Sequence, residues 1–67
     1  MLRHGDIFRS RETDNLYMID TMAKREDGIN HYISIRIMDS KRVIAPETFF
    51  QDDCNYCGNL VKAQRKE

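Results

Sequence analysis

The sequence predicts a mainly β domain, a small barrel of four to five short antiparallel strands with one helical turn and a C-terminal tail. Three observations carry this. Apolar residues alternate with period two, most cleanly in "HYISIRIM", His31 to Met38. The strand-like runs are separated by short segments of Asp, Asn, Gly and Ser, which favour tight turns. At 67 residues the chain is small, and a twisted sheet of this size best protects its edges by curling on itself.

In chain order, "GDIF" predicts a short strand around Ile7 and Phe8, and "RSRETDN" a loop turning at Asp14-Asn15. "NLYMIDTMAK" predicts a second strand, with Leu16, Met18 and Met22 on one face and Tyr17, Ile19 and Thr21 on the other. Its imperfect alternation fits a strand covered in part on both faces as it bends around a corner. Asp27-Gly28 in "REDGIN" marks a hairpin. The central strand follows, with Ile33, Ile35 and Ile37 expected inward and Tyr32, Ser34, Arg36 and Met38 outward. "DSK" turns the chain into "RVIA", a strand that should stop at Pro46, which has no N–H to donate to a ladder. "PETFF" suits one helical turn with Pro46 in its first position, and Phe49 and Phe50 as plugs for one end of the core. "NLVKAQRKE" has weak helical character and a basic end. The domain is therefore expected over residues 1–51, with 52–67 as a separate C-terminal segment. The preferred reading is an SH3-like barrel; the alternative is a three-stranded meander with the tail helix packed on it.

"HGDIFRSRETDNLYMI" resembles the opening of a group of small, uncharacterised bacterial and phage proteins with an SH3-like barrel. Gly5, Phe8, Arg9, Tyr17 and Ile19 stand at the corresponding places, and "APETFF" (Pro46, Glu47, Phe50) is similar to the group's closing pattern. The resemblance covers residues 4 to 51. It implies a small SH3-like barrel and no activity, and suggests a phage-type protein that binds and modulates a host protein.

Composition narrows function. Eleven Lys and Arg balance eleven Asp and Glu, so the basic excess of a non-specific nucleic-acid binder is missing. No apolar run reaches the roughly 20 residues of a membrane span, and the charged N-terminus does not read as a signal peptide. A cytoplasmic protein is expected, with no membrane partner. No Gly-x-Ser-x-Gly, His-Glu-x-x-His or phosphate loop is present, so no enzyme is expected.

A protein-binding module is the leading expectation, with Tyr17, Tyr32, Arg36, Met38 and Arg42 as the partner-binding residues. Tyr, Met and Arg are enriched at interface cores. The alternative is a nucleic-acid-binding barrel that stacks bases on Tyr17 and Tyr32 beside Arg36 and Arg42, with Arg9 and Lys41 near them. "DDCNYCGN" holds both cysteines as Cys-x-x-Cys. Cys54 and Cys57 with His4 and His31 would supply the four ligands of a structural zinc, a minor alternative to a protein without cofactor. A redox pair is disfavoured because Asp52 and Asp53 precede Cys54 and would raise its thiol pKa by like-charge repulsion.

Overall fold

A computed structural model describes residues 1–61, as five antiparallel strands in one sheet and a single short helix. The strands are β1 (Asp6–Ser10), β2 (Leu16–Glu26), β3 (Ile29–Arg36), β4 (Lys41–Pro46) and β5 (Cys54–Asn59), and the helix α1 (Glu47–Asp52) joins β4 to β5. The sheet order is β4-β3-β2-β1-β5. The basic end of the chain, 62–67, lies outside the described residues.

The turns follow from the residues that make them. Glu26 pairs with Ile29, leaving Asp27 and Gly28 as a two-residue hairpin loop with φ of 52° and 77°. Positive φ at both central residues defines a type I′ turn, whose twist matches that of the flanking strands. Asp14 and Ser40 take φ of 63° and 58° in the β1–β2 and β3–β4 turns. The Ser10 hydroxyl accepts from the Glu12 and Thr13 N–H groups, each at 3.3 Å, and tightens the first of these.

Strand β2 is long because it serves two neighbours. Its first half pairs with β1 as well as β3, and its second half with β3 alone. Its register against β3 shifts between Ile19 and Thr21 and again between Met22 and Lys24. Such bulges bend a strand and re-aim its side chains. Ile19 therefore faces the core while Thr21 pairs with Ile33 on the other side.

Cys54–Asn59 is not a separate segment beyond residue 51 but a strand of the sheet. It runs beside β1 from Asp6↔Asn59 to Ser10↔Cys54. The physical reason is the edge: without β5, the outer side of β1 would expose a row of unpaired backbone groups. Helix α1 makes this possible by carrying the chain back from β4. Pro46 stands at its N-cap, one residue before the expected position.

The core cluster consists of Phe8, Tyr17, Ile19, Tyr32, Phe50 and Cys54, with Leu2, Val43, Ala45 and Phe49 packed against it. Phe50 is fully buried, and its ring centroid lies 5.5 Å from Phe8, 6.4 Å from Tyr17 and 5.1 Å from Phe49. Tilted and edge-on ring pairs at such distances add to plain burial. Small residues on the same face, Ser10, Ser34 and Ala45, leave room for these rings. Ser34 is fully buried and satisfies its hydroxyl by donating to the Val43 carbonyl at 2.9 Å.

Gly5 ties the start of β1 to the chain on both sides. Its N–H donates to the Ile19 carbonyl at 2.8 Å, and its carbonyl accepts from Leu60 N–H at 2.9 Å. Its φ is +91°, and a Cβ there would sit 2.8 Å from Val61 Cγ2. Gly28 also has positive φ, but a Cβ there would meet nothing within 4 Å. Gly5→Ala is therefore expected to cost about 1–3 kcal/mol and more than Gly28→Ala, as read from urea midpoints of the two variants. Equal costs would show that the contact with Val61 contributes nothing.

Candidate functional site

The central strand is turned over relative to expectation. Tyr32 and Ser34 face the core, at 2% and 0% exposure, and Ile33 and Ile35 face the other way. Tyr17 is likewise buried, at 7%. These tyrosines are therefore not the outward partner-binding or base-stacking rings expected of them. The cause is bulk: the core face must hold Phe8, Tyr17, Tyr32 and Phe50 around one helical turn. Aromatic side chains bury about 150–250 Å² each, so seating them inward outweighs burying the isoleucines. The Tyr32 hydroxyl reaches the boundary of the core and accepts from Leu2 N–H at 3.3 Å.

The other expected partner residues are dispersed. The Arg36 guanidinium forks onto Asp39, with Nε at 3.0 Å from Oδ1 and Nη2 at 2.7 Å from Oδ2. This pair holds the Asp39 carboxyl down at about 2. Its contribution is complete above the ordinary carboxylate pKa and is lost as pH falls through that lowered value. Arg36 thus closes the β3–β4 turn. Met38, 76% exposed, sits in that turn, and Arg42 is exposed on β4.

What the sheet presents to solvent is a band of aliphatic side chains in register. Ile7 pairs with Met18, Met18 with Ile35, and Ile35 with Arg42. The next row runs Thr21, Ile33, Ile44. On the other side Arg9 pairs with Leu16, whose carbonyl accepts from Ile37 N–H at 2.9 Å. Leu16, Ile37 and Ile44 are 37%, 45% and 56% exposed, and Ile7, Met18, Ile33 and Ile35 are half-buried among one another. None of the seven belongs to the core cluster or to the side chains packed against it. Arg9 and Arg42 flank the band and make no ion pair with any other described residue. The three rows contain no carboxylate. The described acidic residues stand in the turns, at the β2 bulge and hairpin end, at the start of β1 and around the helix.

A second feature is a cleft of about 340 Å³ lined by Met1, Arg3, His4, Asp6, Tyr56, Asn59 and Val61. Its buried carboxylate is fully engaged. Asp6 Oδ2 accepts from Arg3 N–H at 2.8 Å, and Oδ1 accepts from Asn59 Nδ2 at 2.8 Å and from the Tyr56 hydroxyl at 3.4 Å. Asp6 thereby ties the N-terminal segment to β5. Partial desolvation and the neighbouring Asp6 push the Tyr56 phenol up. His4 Nδ1 lies 2.8 Å from the Asp20 carbonyl and fixes the cleft's rim to the β2 bulge.

The four proposed zinc ligands are not assembled. Cys54 is in the core and Cys57 is exposed, beside Ile7, Gly58, Asn59 and Leu60. The register shift between Ile7 and Phe8 leaves Cys57 without a partner on β1. His4 turns to Asp20, and the His31 Nδ1 lies 3.2 Å from the Ile29 carbonyl. Among the described residues no group of three His, Cys, Asp or Glu side chains could hold a metal ion. Burial, and then Asp53, push the Cys54 thiol up, the direction opposite to that of a reactive thiolate.

No helix among the described residues is long and apolar enough to cross a membrane. Comparison with protein-family models, curated proteins and solved structures finds no match.

Proposed function

We propose that this chain is a small, non-catalytic protein-interaction module of SH3-like barrel type that docks its partner on the outward isoleucine face. One observation carries the reading: Ile7, Met18, Ile33, Ile35 and Ile44 lie in cross-strand register on the face opposite the core. A contiguous apolar face on a small protein marks an interaction surface far more often than scattered exposed residues do. Bending of β2 at two bulges, and the return of β5 to the edge of β1, support closure into a barrel. Nucleic acid is the weaker reading, because the tyrosines that would stack bases are buried and the face offered is aliphatic.

The double variant Ile33→Lys plus Ile35→Lys tests the reading. It should keep the native circular dichroism spectrum and lose the proteins that the unmodified chain captures specifically from lysate. A folded variant that captures the same proteins would contradict it.

A further inference from the structure

We propose that the isoleucine face accepts an amphipathic helix of a partner protein whose apolar stripe is flanked on both sides by Asp or Glu. This rests on the docking reading above and adds the chemistry of the occupant. The face and such a helix are complementary in charge. Arg9 on β1 and Arg42 on β4 border the aliphatic rows from opposite sides, without an ion-pair partner among the described residues. No carboxylate occupies a paired position in these rows, and Asp20, at the β2 bulge between Met18 and Thr21, is engaged with His4. Among the described residues the other acids stand in the turns, at the hairpin end, at the start of β1 and around the helix, so the border of this face is positive. Arginine pairs with carboxylates through two parallel N–H···O bonds, and such pairs fix orientation as well as adding energy.

The dimensions suit a single helix. Strands β1 and β4 are three positions apart in the sheet, which is about 14 Å at the usual spacing. An α-helix with its side chains is about 10–12 Å across. Acidic residues on its two flanks would then stand over the two arginines while its apolar stripe covers Met18, Ile33 and Ile35. Three rows across four strands project on the order of 300–400 Å², about half of what one partner buries in a standard stable interface. A second copy of this chain is poorly matched, because stacking two such faces adds arginines, while Asp20 beside the rows is already engaged with His4.

Two labelled synthetic peptides of about 18 residues, or five helical turns, provide the probe. Both carry the same Leu/Ile stripe, flanked by Glu in one and by Lys in the other. Fluorescence anisotropy with the full chain should show the Glu peptide binding at least about tenfold tighter. Amide resonance shifts should cluster at residues 7, 18, 33, 35 and 44. Arg9→Glu plus Arg42→Glu, at exposed positions, should leave the melting temperature in place and reverse the preference toward the Lys peptide. Equal binding of the two peptides, or shifts centred on α1, would overturn the proposal. So would sedimentation showing a dimer closed through this face, or displacement of the Glu peptide by phosphatidylserine vesicles or single-stranded oligonucleotide. If neither peptide binds while Ile33→Lys plus Ile35→Lys still loses its lysate partners, the acidic helix is wrong and the docking face stands.

Discussion

Phe50→Ala should leave the chain largely unfolded at room temperature. The side chain is fully buried and meets three other aromatic rings. Truncating such a residue costs about 3–5 kcal/mol, through lost transfer energy and the cavity left behind. A single-core domain below about 70 residues rarely has more than 3–5 kcal/mol in total. The helix that carries Phe50 also delivers β5 to the edge of β1, so its loss should free that edge together with the core. Near-ultraviolet circular dichroism and urea titration would register this as loss of fixed aromatic packing and of a cooperative transition. Phe50→Leu, which keeps most of the volume, should retain the transition at a lower midpoint. A cooperative Phe50→Ala variant close to the unmodified protein would mean that the helix does not close the core.

The second large effect separates the two faces of β3. Tyr32→Ala should cost about 3–5 kcal/mol, in the range for removing a buried aromatic ring. Ile35→Ala, three residues along the same strand on the opposite face, should cost about 1 kcal/mol, because its side chain is half-buried outside the core. Tyr32→Phe should be milder than either truncation of a ring, since it removes one hydrogen bond, from Leu2 N–H, worth about 1 kcal/mol. Urea midpoints of the three variants order these costs. Reversal of the Tyr32 and Ile35 costs would restore the isoleucines to the core.

Strand positions and turns were legible because they depend on local chemistry. Asp27-Gly28 specifies its hairpin through backbone conformation, and the alternation from His31 to Met38 specifies an extended strand whichever face is buried. The inward face was not legible from that strand alone. Period two says that Ile33 and Ile35 share a side, and bulk across the whole sheet decides which side is core. The deciding residues lie elsewhere, in Phe8 and Ser10 on β1, Ala45 on β4, and Phe50, which needs the small side chains beside it. The bulges in β2 hid the same information, since they break the alternation that would have aligned Tyr17 and Ile19 with Tyr32. Cys54 to Asn59 reads as a turn-rich polar stretch with glycine, and its strand state comes from the open edge of β1, a non-local cause. Arg9 and Arg42 each lie in the sequence beside residues of mixed sign. Their common face exists only once β1 to β4 are in register.

The isoleucine face is outward only if the tyrosine side of the sheet is its interior. Brief nitration of the folded chain with tetranitromethane, read by mass spectrometry, tests this most directly. Tyr56 is 60% exposed, against 7% for Tyr17 and 2% for Tyr32. Modification should therefore appear at Tyr56 and reach Tyr17 and Tyr32 only after unfolding in urea. Nitration of Tyr32 in the folded chain at the rate of Tyr56 would place the tyrosines outside and the isoleucines within, and would contradict the assignment of the docking face.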